Sequence, residues 1–147
     1  FDPKRPVHLT LKSTRATGEW SLRSPKNCVL ALHLTELAKA KFGVRVIEYA
    51  NVGNHLHYVL KAPSRTAFQR FLRFVSGTLA MMVTGARKGR PMGGRFWDHL
   101  AHTKVLTGLR QLQNAEAYVV KNQMEALGAF ESKAERDRLR LWKIGWV

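Results

Sequence analysis

The stretch "NVGNHLHYVLKAP", residues 51–63, decides how the chain is read. It has the composition of a strand, yet His55 and His57 stand at alternate positions inside it. Successive side chains of a strand point to opposite faces. The two imidazoles therefore share one face, while Leu56, Tyr58 and Leu60 share the other. Gly53-Asn54 is a short turn signal, so residues 54–61 and the apolar run "VRVIEYANV" (44–52) are expected to form a hairpin.

Working outward, "RPVHLTLKS" (5–13) alternates Val7, Leu9 and Leu11 against His8, Thr10 and Lys12, a strand with one buried face. His8 and His33 are expected at the surface. "SPKNCVLALHLTELAKAKFG" (24–43) is a helix, with Ser24 as N-cap, Pro25 in the first position and Gly43 as its stop. Leu30, Leu34 and Leu37 mark its stripe. Pro63 ends the hairpin, and Ser64 caps a second helix (64–85) whose face carries Phe68, Phe71, Leu72, Val75, Leu79 and Met82. A basic loop (86–95) leads to a fourth strand, "RFWDHLAHTKVL" (95–106). A third helix (107–128) starts at Thr107 or Asn114, carries Leu112, Ala115, Val119, Met124 and Leu127 as its stripe, and ends at Gly128. The tail, 129–147, is expected to dock through Trp142 and Trp146.

The 147 residues suit one domain, 1–147. The order strand-helix-strand-strand-helix-strand is the ferredoxin-like arrangement, an α+β fold with an antiparallel sheet, here with an added C-terminal helix. One cysteine, Cys28, allows no internal disulfide and suits a reducing cytoplasmic setting. No apolar run approaches the roughly 20 residues of a membrane span, and no secretory signal opens the chain. It begins with Phe1, so residues upstream are expected.

Charge is the strongest global feature. Lys and Arg total 25 against 10 Asp and Glu, a net charge of +15. Such an excess points to a polyanion, most often nucleic acid. The cations are spread over the chain: Arg65, Arg70 and Arg73 on the second helix, and Arg87, Lys88, Arg90 and Arg95 in the glycine-rich loop. Phe96 and Trp97, beside Arg95, either stack on unpaired bases or pack in the core. No P-loop or dinucleotide fingerprint is present.

Two imidazoles on one strand face can ligate one ion, although His-x-His alone is equally a polar pair on a half-exposed sheet. Tyr118 lies off the apolar stripe of the third helix. Asn122, one turn later, shares its side, and Gln123 stands about 100° further round. His99 and His102 would need two further ligands to hold zinc. Asp98 and His99 either help to shape the site or pair with arginines.

This set resembles the single-tyrosine HUH transposases, which include bacterial insertion-sequence and REP-associated tyrosine transposases. "NHLHYVL" matches the His-apolar-His signature, "GGRFWDHLAHT" the strand after the basic loop, and "YVVKN" the catalytic helix, in order from about residue 5 to 128. The resemblance implies a divalent ion, Mg²⁺ or Mn²⁺, held by His55, His57 and Asn122, with Gln123 as the alternative third ligand. It implies Tyr118 as a nucleophile that cleaves and rejoins single-stranded DNA through a 5′-phosphotyrosine ester. Lys121 and the metal are both candidates to activate the phenol. The implied partner is single-stranded DNA bearing a hairpin or palindromic repeat, acted on in a bacterial cytoplasm by a monomer or a homodimer. Two other readings compete: a domesticated, inactive relative that only binds nucleic acid, and a metal-dependent hydrolase in which Tyr118 is incidental.

Overall fold

Every expected helix and strand is present in the structure, a computed structural model that describes residues 1–86, 89–91 and 93–127. Arg87, Lys88, Gly128 and the tail with Trp142 and Trp146 lie outside the described residues. Strands β1 (Val7–Lys12), β2 (Arg45–Asn51), β3 (His55–Lys61) and β4 (His102–Val105) form one sheet in the order β2-β3-β1-β4. Every neighbouring pair is antiparallel. Helix α1 (Pro25–Phe42) links β1 to β2, α2 (Arg65–Thr84) links β3 to β4, and α3 (Leu109–Ala126) follows β4. The fold is therefore the expected α+β, ferredoxin-like one with an added helix. None of the described helices is long and apolar enough to cross a membrane.

The helix ends follow local chemistry. The Ser24 side chain accepts the Asn27 N–H, Pro25 takes the first position, and Gly43 stops α1 at φ 67°. Ser64 accepts the Ala67 N–H to start α2. Orphan N–H groups are satisfied at each start, and the left-handed residue at the α1 end costs a glycine little. The third helix differs from expectation. Gly108 is its N-cap and makes no side-chain bond. Neither Thr107 nor Asn114 caps it. Instead Gln111 Oε1 accepts both the N–H and the hydroxyl of Thr107.

One face of the sheet carries the main core. Val7, Leu9 and Leu11 of β1 and Leu56, Tyr58 and Leu60 of β3 are almost fully buried against residues of α1 and α2. The Tyr58 hydroxyl meets Thr35 Oγ1 at 2.8 Å, so its polar end is satisfied inside that core. The helix stripes are shifted from the expected ones. α2 buries Phe68, Phe71, Val75, Leu79 and Val83, while Met82 is half exposed. A step of four from Leu79 stays within about 40° of the stripe, whereas a step of three swings about 60° off it. Likewise α1 buries Ala31, Leu34 and Ala38, and Leu37 faces out. On the opposite face, Ala115 and Val119 of α3 pack on Ala50 and Val59. Leu127, expected on this stripe, is exposed.

The fourth strand is shorter than expected, because residues 95–101 leave the sheet. Phe96 and Trp97 are adjacent, yet both pack against the main core. A regular strand cannot point neighbours to one side. Side-chain bonds hold the segment instead. Ser13 Oγ donates to the Phe96 carbonyl, Trp97 Nε1 donates to Ser76 O, and the Asp98 carboxylate accepts from the Thr14 N–H and hydroxyl. Asp98 thus pairs with Thr14 rather than with an arginine. Phe96 is a core residue and is not available for stacking on a base.

Asn51 anchors the end of β2. It is buried, donates to Leu22 O at 2.8 Å, and accepts the Gly53 N–H at 3.0 Å. Asn51→Ala strands both backbone groups. We expect a loss of about 2–4 kcal/mol, read as a lower urea midpoint at unchanged m-value. An unchanged midpoint would mean that the turn holds without this amide.

Candidate active site

Register brings the site together. Residues directly opposite across an antiparallel pair share a face. His57 stands opposite Thr10, which stands opposite His102 on the far side. The next row runs from Lys104 through His8 to Val59. His55 stands opposite Lys12. The face away from the main core therefore carries His8, Thr10, Lys12, His55, His57, His102 and Lys104. Helix α3 covers only its β2–β3 side, by seating Ala115 and Val119 on Ala50 and Val59.

That packing leans Tyr118 over the histidines. Its ring meets His57 edge-to-face, with centroids 5.6 Å apart, and His8 at 5.8 Å. His55 and His57 lie nearly parallel at 5.6 Å. Tyr118 itself is 49% exposed. The group lines a cavity of about 700 Å³, with Lys12, Lys104, His99 and His102 also in its walls. Among the described residues no Asp or Glu lines it. Such a cavity favours an anion.

The imidazoles are held in definite states. His55 Nδ1 bonds the Asn54 side-chain oxygen, which only accepts. Nδ1 thus carries the proton, and Nε2 keeps its lone pair. His57 Nδ1 meets Thr10 Oγ1 at 3.3 Å. Burial, with His8 and His55 beside it, pushes the His57 imidazolium down to about 4. Burial also lowers His8 and His55, aided by His102 and Lys104 at the first and Lys12 at the second. All three are thereby favoured as neutral rings.

His8 is thus half-buried in the site rather than a surface residue, and its buried Nε2 has no hydrogen-bond partner. The signal was its alternation with Thr10 and Lys12, which shares the histidine face once β1 pairs with β3. His33 is exposed as expected. The two candidate amides of α3 behave differently. Gln123 Oε1 accepts the Asn51 N–H at 2.8 Å and ties the helix to β2. Asn122 Nδ2 donates to the Tyr118 carbonyl at 2.8 Å, its oxygen has no hydrogen bond among the described residues, and it does not line the cavity. Lys121 is partly buried on α3 and does not line the cavity. Arg65, Arg70, Arg73, Arg90 and Arg95 are exposed. None of them lines the histidine cavity, and the first three sit on α2, across the sheet. Among the described residues no three His, Cys, Asp or Glu side chains converge as a metal cluster.

No protein-family profile and no curated protein matches the chain by sequence. Solved structures do match. A REP-associated tyrosine transposase bound to a REP hairpin superposes with a TM-score of 0.58 at 10% identity, over 97% of this chain and 70% of its own. The chain shares the fold of that transposase. A candidate transposase from Deinococcus radiodurans R1 agrees, with a TM-score of 0.52 at 14% identity over 80% of this chain and 89% of its own. At such identities the likeness establishes the fold, and the chemistry rests on the site.

The depressed His57 gives a test of the site's electrostatics. Folded His57 binds its proton near 4, against 6.5 for the unfolded chain. Between those values the unfolded state binds more protons, so stability rises with pH. The contribution is complete above about pH 6.5 and is lost as pH falls through 4. For the metal-free protein we expect a loss on the order of 3 kcal/mol from this residue. His57→Gln should flatten the stability-against-pH curve over that window. An equal slope in both proteins would show that His57 is not held neutral by its surroundings.

Proposed function

We propose that this protein is a transposase-type enzyme that cleaves and rejoins single-stranded DNA, with Tyr118 as the nucleophile. The observation that carries the proposal is the half-exposed Tyr118 ring, edge-on to His57 above a cavity of histidines and lysines with no carboxylate among the described residues that line it. A phenol in such a place meets a phosphate, not a metal-ligating acid. The transposase fold supports the reading, as does the relative bound to a REP hairpin. A DNA substrate bearing a hairpin and a site of action in a bacterial cytoplasm belong to the same proposal.

A divalent ion fits the donors in part. His55 Nε2 has its lone pair, His57 is held neutral, and Asn122 keeps an uncommitted amide oxygen. Gln123 is already bonded to Asn51, so Asn122 is the better third ligand. When bound, Mg²⁺ or Mn²⁺ supplies Lewis-acid polarisation of the scissile phosphate.

The chain's own residues do the rest. Lys12 and Lys104 offset the charge of the phosphodiester in the cavity. A phenol has a pKa of about 10, so its proton must leave as the bond to phosphorus forms. Its Oη attacks phosphorus, the P–O3′ bond breaks, and the departing 3′ oxygen takes up a proton. The 5′ phosphate stays on Tyr118 as an ester, so the bond energy is conserved. Attack by a 3′ hydroxyl on that ester rejoins a strand and returns the phenol, with no nucleotide cofactor.

Two experiments test this. Replacing His55 and His57 together by alanine should abolish Mn²⁺ binding in calorimetry while the circular dichroism spectrum is kept. Unchanged affinity would remove the histidine site. Tyr118→Phe deletes one half-exposed hydroxyl and should keep DNA and Mn²⁺ binding. With a labelled single-stranded hairpin, the parent protein should give a covalent adduct on denaturing electrophoresis and the variant none. Full cleavage by the variant would make a water the nucleophile and the protein a hydrolase. Binding without an adduct in the parent would leave an inactive nucleic-acid binder.

A further inference from the structure

A second cavity adjoins the first around the sheet edge. It encloses about 560 Å³, and its walls include Leu11 of β1, Gln69 and Arg73 of α2, and Arg95 and Trp97. It therefore lies on the α2 side of the sheet, opposite the histidine face. Yet His99, Leu100 and Ala101 line both cavities. These residues precede β4, the edge strand next to β1. Residues 96 and 98 bond the end of β1, through Ser13 Oγ and the Lys12 carbonyl, and the chain then passes along this edge to β4. The two hollows thus meet at residues 99–101, which form a ridge between them.

The ridge carries an exposed apolar side chain. Leu100 is 92% exposed, the most exposed of the large hydrophobic residues described. The walls on both sides are basic: Lys12 and Lys104 in one cavity, Arg73 and Arg95 in the other. Neither arginine has an ion-pair partner among the described residues. Among the described residues no Asp or Glu lines either cavity. An apolar ridge between two cation-walled hollows fits a chain with regularly spaced anions and flat apolar groups between them. A single nucleic-acid strand has that pattern, and proteins that part neighbouring bases use leucine among their wedges.

We infer that the strand engaged at the histidine cavity continues over the 99–101 ridge into the α2-side cavity, with Leu100 wedged between two successive bases and Arg73 and Arg95 on the phosphates beyond. The inference rests on the reading of the histidine cavity as a single-strand DNA site. It also gives Arg73 a role that its distance across the sheet otherwise denies it. Arg65 and Arg70, on the same helix, line neither cavity.

The test needs binding and no cleavage, so it uses the full chain carrying Tyr118→Phe. The probe is an oligodeoxyadenylate with one 2-aminopurine, whose fluorescence rises when its stacking is broken. Binding should raise the signal. Leu100→Ala should remove most of that rise and leave the salt dependence as it was. Arg73→Gln should keep the rise and reduce the slope of log K against log salt by about 0.7, the value for one phosphate on a single strand. Leu100 is almost wholly exposed, so its replacement leaves the fold intact. An undiminished fluorescence rise in Leu100→Ala, or an unchanged slope in Arg73→Gln, would overturn the path. If both effects appear but the parent protein forms no Tyr118 adduct, the path stands and the nuclease reading falls.

Discussion

Leu56, Tyr58 and Leu60 have no exposed surface, and β3, which carries them, is paired on both edges by β1 and β2. Each such side chain is worth about 1.5–3 kcal/mol relative to exposure. A slip of one residue would turn all three out and drive His55 and His57 into the core. The Tyr58–Thr35 bond adds a directional lock, because only this register brings the phenol to α1. The histidine face is held in place by the burial behind it. Since β1 is keyed to β3, the same constraint fixes His8, Thr10 and Lys12 beside it.

The second requirement is a helix that approaches this face without covering it. Small residues meet it: Ala115 and Val119 of α3 sit on Ala50 and Val59. With burial supplied there, Tyr118 is left half exposed at the edge of the contact. Its ring is steadied by His8 and His57 rather than by the core. The residues proposed to react come from strands and a helix, not from loops, so little rearrangement is needed to bring them together.

Much of this was legible in the sequence. Alternation in "HLTLK" and "HLHYVL" gave the two-faced strands, and Ser24, Gly43 and Ser64 gave helix ends that the structure keeps. The losses have specific causes. Periodicity cannot choose between a step of three and a step of four at the end of a stripe, which put Met82 where Val83 is buried. "RFWDHLAHT" reads as strand by composition, but bonds to Ser13, Thr14 and Ser76 decide its path, and those are distant in sequence. His8 was misjudged because one strand alone cannot say which residues its neighbour brings opposite. That residues 99–101 border two cavities was not legible at all, since it depends on where that segment leaves the sheet.

The adjacent amides Asn122 and Gln123 show how one helix can be anchored and still offer the side chain that the proposed reaction needs. They stand about 100° apart on α3. Gln123 spends its oxygen on the Asn51 N–H, and Asn51 in turn holds Leu22 and the turn before His55. The anchor of the tyrosine helix and the anchor of the histidine strand therefore meet at one residue. That shared point fixes Tyr118 relative to His57 more tightly than the small contact of Ala115 and Val119 alone would. Asn122, bonded to the Tyr118 carbonyl on its own helix, takes no part in that anchor, and the proposed ion would draw on its oxygen. A single amide asked to do both would have to let go of the strand each time it bound a ligand.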